Sequence, residues 1–125
     1  MREILFRGKT GIGDWVEGYL FKQWGKAFIL WGTENDNPSK TEVIPETVGQ
    51  YTGLKDKNGR KIFEGDIVHY TNGTIRDDQS GGHVPNTIRF VVTIEMGSCN
   101  VAKYRLVTDS LEVIGNVHDD PELLQ

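Results

Sequence analysis

The chain has 125 residues and a formal net charge of −4, from 14 Lys and Arg against 18 Asp and Glu. This length suits one domain with its own hydrophobic core, and the acidic balance differs from that of a general nucleic-acid binder, which carries a basic excess. Cys99 is the single cysteine, which excludes an intrachain disulfide and is typical of a reducing cytoplasm.

The first third of the chain predicts three strands that are rich in aromatic residues. Residues 3–8 form the first, residues 14–22 alternate with a period of two that indicates a strand, and residues 26–31 return as its hairpin partner. Aromatic side chains at strand spacing are candidates for a protein or oligomer contact, for core packing, or for a stacking platform. The candidate contact residues are Trp15, Tyr19, Phe21, Trp24 and Trp31.

The next segment predicts a polar loop at residues 33–41, because it has no apolar anchor. A short strand at residues 42–44 follows. Pro45 then favours one helical turn, since proline suits a first helical position.

A hairpin is predicted at the centre of the chain. Residues 51–54 and 61–63 form its arms, because Asn58-Gly59 between them tolerates the positive φ angles of a tight turn. A further strand is predicted at residues 66–70. The basic hairpin tip is a candidate phosphate contact, with a solvated hairpin end as the alternative interpretation. Its members are Lys55, Lys57, Arg60 and Lys61.

The second half predicts a long loop and three more strands. Residues 72–87 lack a packing pattern, which predicts a disordered or variable insertion, or a flap that binds a partner. Strands are predicted at residues 88–96, 101–107 and 111–117, and a short helical turn at residues 120–124. In all, about nine short strands predict an all-β or mainly β domain, either a small barrel, with an SH3-like one as an example, or two packed sheets.

Long ordered motifs then suggest a family. They read P-E-T-V-G-Q-Y-T-G-L-K-D-K-N-G, I-F-E-G-D-I-V and E-V-I-G-N-V-H-D-D-P-E-L-L, with R-E-I-L-F-R-G near the start. With these motifs the chain resembles the YopX family of small phage and prophage proteins. The resemblance implies one β-rich domain over residues 1–125, with variable loops at 33–41 and 72–87, and it brings no assigned catalytic residues.

The titratable residues predict no catalytic or metal site. His69, His83 and His118 are far apart in the sequence, and Asp66 and His69 would lie on opposite faces of one strand. No P-loop, dinucleotide fingerprint or nucleophile-elbow motif occurs. We therefore expect no cofactor and no metal.

The function that fits these observations is a non-enzymatic phage or prophage accessory protein that binds protein, itself included. The alternative is a nucleic-acid-binding module with an SH3-like or OB-like barrel. The apolar run at the N-terminus is too short for a signal peptide, and no stretch approaches the ~18 apolar residues of a membrane span. The sequence thus predicts a cytoplasmic protein of the host bacterial cell.

Overall fold

The computed structural model describes residues 5–34, 37–76, 83–95, 98–103, 106 and 108–124. The strands in these residues are β1 (Phe6–Lys9), β2 (Trp15–Gln23), β3 (Lys26–Glu34), β4 (Asn37–Val43), β5 (Gly49–Lys55), β6 (Lys61–Phe63), β7 (Asp66–Arg76), β8 (His83–Val91), β9 (Ile94–Glu95), β10 (Ser98–Cys99) and β11 (Leu111–Asn116). One short helix, α1 (Asn100–Lys103), and 3-10 turns at Pro45–Thr47, Thr108–Ser110 and Pro121–Leu124 complete the described elements. The prediction of a mainly β fold is confirmed.

The described strands form three open sheets. One has the order β4-β3-β2-β1-β5-β6, another the order β11-β7-β8, and β9 pairs with β10. Neighbouring strands are antiparallel wherever their register is defined. These strands do not close into a small barrel, which was one of the two predicted forms.

Residue contacts divide the chain into two compact units, Met1–Gly53 and Leu54–Gln125. The prediction of a single domain stays a prediction. None of the helices in the described part of the chain has the length and apolar character needed to span a membrane.

The first unit has a small core on one face of its strands. Ala27, Ile29 and Val43 are buried there, because β3 and β4 turn alternate side chains to that face. Gly18 of β2 lies under β3, where an added Cβ would come 2.1 Å from the carbonyl oxygen of Leu30. Only glycine therefore allows β3 to approach so closely at this point. Partly buried side chains also pack on this core, namely Phe6, Val16, Leu20 and Val48.

The second unit has the larger core. Its buried members are Ile62, Val68, Tyr70, Val92, Cys99, Val101, Leu111 and Val113. Cys99 is 2% exposed, so it packs in this core as a small hydrophobic side chain.

Both segments predicted as long loops are largely strand, so the prediction of loop conformation was wrong, while their variability and a partner-binding role for residues 72–87 stay predictions. Residues 33–41 belong to the end of β3 and most of β4, which pair with a bulge between Trp31 and Thr33. Residues 72–76 and 83–87 extend β7 and β8, which pair from Ile67↔Val91 to Arg76↔His83. Polar sequences can form such hairpins because cross-strand backbone hydrogen bonds need no apolar side chains. Residues 35–36 and 77–82 lie outside the described residues.

The strand predicted at 101–107 was wrong for residues 101–103, while residues 104, 105 and 107 lie outside the described residues. The chain forms α1 at Asn100–Lys103 instead. The side chain of Asn100 explains the start of this turn, since its Nδ2 donates to the Val91 carbonyl at 2.8 Å and its Oδ1 accepts from the Thr93 amide at 3.2 Å. Apolar alternation over so few residues does not separate a strand from a buried helical turn. The helical turns predicted at Pro45 and after Asp120 are confirmed as 3-10 turns.

Candidate functional site

The candidate surface lies on the face of the first unit's strands that points away from its core. Tyr19 and Phe21 of β2 alternate with the core-facing Leu20, and they pair with Leu30 and Phe28 of β3. A period of two therefore places these four side chains together on the opposite face. We call this side of β2, β3 and β4 the outer face.

Two aromatic rings and one ammonium group are in contact on the outer face, and Tyr19 lies on the same face. The rings of Phe21 and Phe28 have centroids 6.2 Å apart at an interplanar angle of 44°, within the favoured range for aromatic pairs. The Nζ of Lys40 lies 4.7 Å from the centroid of Phe28, a cation–π geometry. Tyr19 is 65% exposed and Phe21 39% exposed. Tyr19, Phe21, Phe28 and Lys40 are called the aromatic surface below.

Trp24 stands at the end of the same hairpin. Gln23 and Lys26 are the last pair of β2 and β3, so Trp24 and Gly25 form a two-residue turn. Their φ angles are 52° and 76°, both positive, as a type I′ turn requires. Trp24 is 89% exposed. A large apolar ring is therefore held in water, at a residue whose positive φ is unfavourable for a bulky side chain.

The other two predicted tryptophans lie on different faces: by the same period of two, Trp15 lies on the outer side of β2, whereas Trp31 lies on the core side of β3. Trp15 is half-buried at the start of β2, where the Arg7 guanidinium sits 4.7 Å from its ring centroid. Trp31 is 46% exposed, and its Nε1 donates to Thr41 Oγ1 at 2.8 Å on the face that carries Ile29. Of the five predicted contact residues, Trp15, Tyr19 and Phe21 therefore share the outer side of β2, Trp31 lies on the core side and Trp24 lies in the turn; Tyr19 and Phe21 are the two that belong to the aromatic surface.

Sequence reasoning left two residues of the surface out of the predicted contact set. Phe28 sits in the nearly continuous apolar run F-I-L-W of residues 28–31, which predicts either burial on both faces or one face packed and the other covered by a partner. Lys40 fell in the segment predicted as a loop. Recognition of β4 as a strand would have placed Lys40 beside Leu30 and Glu42 beside Phe28, as the structure pairs them.

The basic hairpin tip has a rigid frame. The Asp56 Oδ1 accepts hydrogen bonds from the amides of Asn58 and Arg60, both at 2.9 Å, and its Oδ2 accepts from the Val113 amide at 2.9 Å. The Lys57 amide also donates to the Leu111 carbonyl at 2.9 Å. The tip is therefore held to β11 by one backbone–backbone hydrogen bond and by one from the Val113 amide to the Asp56 side chain.

The charges of this tip are partly offset. The Nζ of Lys57 lies 3.7 Å from a carboxylate oxygen of Glu112, while Lys55 and Arg60 are exposed and Lys61 is half-buried. The buried Asp56 carboxylate adds a second negative charge. The predicted phosphate contact residues do lie together, but with less positive charge than the sequence indicates.

Burial and hydrogen bonding act in opposite directions on Asp56. Burial raises the pKa of this carboxyl, and the hydrogen bonds from Val113, Arg60 and Asn58, with the Arg60 charge, outweigh it. The pKa of Asp56 therefore lies below its ordinary value of 3.8. Asp56 is accordingly a charged structural acceptor at neutral pH.

Other polar residues in the family-like motifs also hold turns. Thr47 Oγ1 donates to the Ile44 carbonyl at 2.6 Å and accepts from the Lys9 amide at 2.8 Å. The Asp66 Oδ2 accepts from the Phe63 amide at 2.7 Å. These hydrogen bonds to the backbone account for Thr47 and Asp66 as structural residues, without a catalytic role.

The last motif follows the same principle. Asn116 Oδ1 accepts from the amides of His118 and Asp119, both at 3.0 Å. The Asp120 Oδ2 accepts from the Asn116 amide at 3.3 Å and sits where a Cβ on Gly115 would come within 2.5 Å of it. The motif G-N-V-H-D-D thus encodes a compact turn after β11.

Within the described residues, no group of three or more His, Cys, Asp or Glu side chains is arranged to hold a metal ion. The expectations of no metal, no cofactor and no catalysis stay predictions. The surface features that remain are the aromatic surface, the exposed Trp24 and the basic tip.

Comparisons with known proteins identify the fold and the family. The family model described as YopX protein matches residues 15–125. A crystal structure of protein EF1440 from Enterococcus faecalis is similar over 100% of both chains, with a TM-score of 0.58 and 23% sequence identity. That identity supports a shared fold alone. None of the curated proteins matches the chain.

Proposed function

The chain belongs to the YopX family, and on that premise we propose that it is a non-enzymatic accessory protein of a phage or prophage. In this role it is a β module that binds protein through the aromatic surface and Trp24, and a second copy of the chain is one of its partners. Its lone buried thiol supports a place in the cytoplasm of the host bacterial cell.

One observation carries the proposal. Tyr19, Phe21 and Trp24 expose 65%, 39% and 89% of their surface within six positions of one strand and its turn. With about 150–250 Å² per aromatic side chain, these three present roughly 400 Å² to solvent. That is about half of the ~800 Å² that each partner buries in a standard protein interface.

The physical reason for binding protein is the mixed character of the surface. Aromatic rings supply apolar area at low conformational-entropy cost and are enriched at interface centres, where charged groups form the rim. Lys40 and Glu42 are exposed on the same face and provide such a rim. The contact would gain free energy mainly by removing the rings from water.

The experiment is the mass of the purified chain, from light scattering across a gel-filtration peak, over a range of concentrations. We expect the parent to be a multimer of the 14.1 kDa chain, and the variants Tyr19→Ser and Phe21→Ser to reduce that mass without loss of folding. Ile12→Ser is the matched control, since Ile12 is 88% exposed in a turn outside the aromatic surface. A parent that is monomeric at every concentration would contradict the self-association.

The nucleic-acid alternative stays a prediction, and the structure does not add support for it, because Glu112 offsets Lys57 at the tip. The same run tests it if absorbance is recorded at protein and nucleic-acid wavelengths. Co-purified nucleic acid that dissociates at high salt would favour it, since phosphate contacts weaken as salt rises.

A further inference from the structure

The six-stranded sheet has an edge strand with self-complementary charges. Among the described strands, β4 stands at one end of the order β4-β3-β2-β1-β5-β6, with β3 as its neighbour. An edge strand presents outward-pointing backbone N–H and C=O groups that can pair with another chain. Lys40 and Glu42 flank Thr41 on β4, and both are exposed on the outer face.

We propose that β4 is the site where a second copy of this chain docks, as an antiparallel strand pair with a two-fold axis at Thr41. This proposal rests on the proposed self-association and adds a contact between copies that is distinct from the aromatic rings. Because the pairing is antiparallel, a residue that precedes Thr41 on one copy faces the residue that follows Thr41 by the same number of positions on the second copy. Lys40 then faces Glu42 of the second copy, and Glu42 faces its Lys40.

This register is the one that the charges select. Two opposite-charge pairs form directly across the two strands, and such pairs stabilise a sheet whereas like charges destabilise it. A register centred on Lys40 would place two ammonium groups opposite each other, and one centred on Glu42 would place two carboxylates opposite each other. The self-complementary arrangement is what an isologous interface requires.

The composition of β4 also fits a pairing of limited length. Pro38 has no amide hydrogen to donate, and we place one end of the pairing there. At the other side the Ile44 amide donates to the Lys9 carbonyl at 2.8 Å, which turns the chain away. The paired segment is therefore residues 39–43, a length typical of a strand.

The edge pair engages Lys40 of the aromatic surface but leaves its aromatic rings accessible. Tyr19 and Phe21 lie on β2, two strands from the edge, and they face out of the sheet rather than along it. Pairing at β4 would join two six-stranded sheets into one and bring two outer faces side by side. Edge lysines commonly prevent such pairing, but here Glu42 supplies the opposite charge at the symmetric position.

The test separates the edge contact from the aromatic contact by using the full chain with Tyr19→Ser throughout. In this background we expect Lys40→Glu and Glu42→Lys each to raise the dimer dissociation constant about tenfold, because two attractive pairs become two repulsive ones. A one-to-one mixture of the two variants should restore dimers, since each facing pair then joins a carboxylate on one variant to an ammonium group on the other. Sedimentation velocity on each variant and on the mixture gives the result.

A cross-link measures the register directly. Facing residues on antiparallel strands have Cα atoms about 4.5–5.5 Å apart, which suits a disulfide. Thr41→Cys should therefore form a covalent dimer under mild oxidation, and Thr93→Cys, at an exposed position in the second unit, should not. Thiols are alkylated before denaturation so that the buried Cys99 does not contribute.

The outcomes are distinct. A parent that never associates contradicts the proposed self-association and the edge pair together. A parent that associates, with a Tyr19→Ser background that is monomeric, overturns the edge pair and leaves the aromatic contact standing. The register centred on Thr41 is overturned if neither charge variant changes the dimer dissociation constant, or if Thr41→Cys forms no covalent dimer.

Discussion

Replacement of Trp24 by asparagine should stabilise the fold and weaken its association. The residue has a φ of 52°, and the left-handed region costs a large L-residue about 1–2 kcal/mol, while asparagine tolerates it. Trp24 is 89% exposed, so the burial that is lost with the indole is worth at most about 0.7 kcal/mol. The net gain is roughly 0.3–1.3 kcal/mol in free energy of unfolding, or roughly 1–5 °C in Tm.

The assay is thermal unfolding followed by circular dichroism, at a concentration where every variant is monomeric. Trp24→Val is the matched control, because it also removes the indole but places a β-branched side chain at a positive φ, which should leave Tm equal to the parent or lower. If Trp24→Asn lowers Tm as much as Trp24→Val does, the indole is packed rather than displayed, and the argument for an exposed binding residue fails. Mass measurements on the same samples show whether association is lost.

Three other predictions test the structural argument. Asp56→Ala should lower the free energy of unfolding by about 2–4 kcal/mol. Because the pKa of Asp56 in the folded protein lies below 3.8, this difference should be full above pH 3.8 and should shrink as the pH falls through the folded pKa. Urea unfolding midpoints of the parent and the variant, measured from pH 2 to 6, would show this dependence. Gly18→Ala should cost about 2 kcal/mol or more through overlap with the Leu30 carbonyl, whereas Gly11→Ala, with nothing within 4 Å of the added Cβ, should change stability by under ~0.5 kcal/mol; equal effects in thermal unfolding would contradict the close approach. Cys99, 2% exposed, should react with a thiol reagent only at the rate of unfolding, and rapid labelling of the native protein would show that the site is open.

Sequence reasoning predicted the segments whose local signals agree with each other. The hairpin at β2 and β3 was predicted because a strict period of two ends in a turn with glycine. The 3-10 turn at Pro45 was predicted because proline fixes the backbone angle of a first helical residue. In both places the local backbone preference and the apolar pattern lead to the same conformation.

Sequence reasoning failed where pairing partners decide the conformation. β4 and the extended parts of β7 and β8 are polar and rich in turn-forming residues, so their own side chains predict loops. β4 is a strand because β3 supplies its backbone hydrogen bonds, and the extended parts of β7 and β8 are strands because they supply these bonds to each other. The opposite error occurred at α1, where the side chain of Asn100 holds a turn in an apolar stretch.

The candidate site shows the same division between local and tertiary information. The sequence by itself determined which residues are aromatic, their spacing on β2, and the lack of any recognisable catalytic motif. Only the tertiary structure decided that Trp31 lies on the opposite face from Phe21, that Phe28 and Lys40 complete the aromatic surface, and that β4 forms an edge. The physical reason is that a strand's period fixes which side chains share a face, whereas cross-strand register and sheet order arise from contacts between segments distant in the chain.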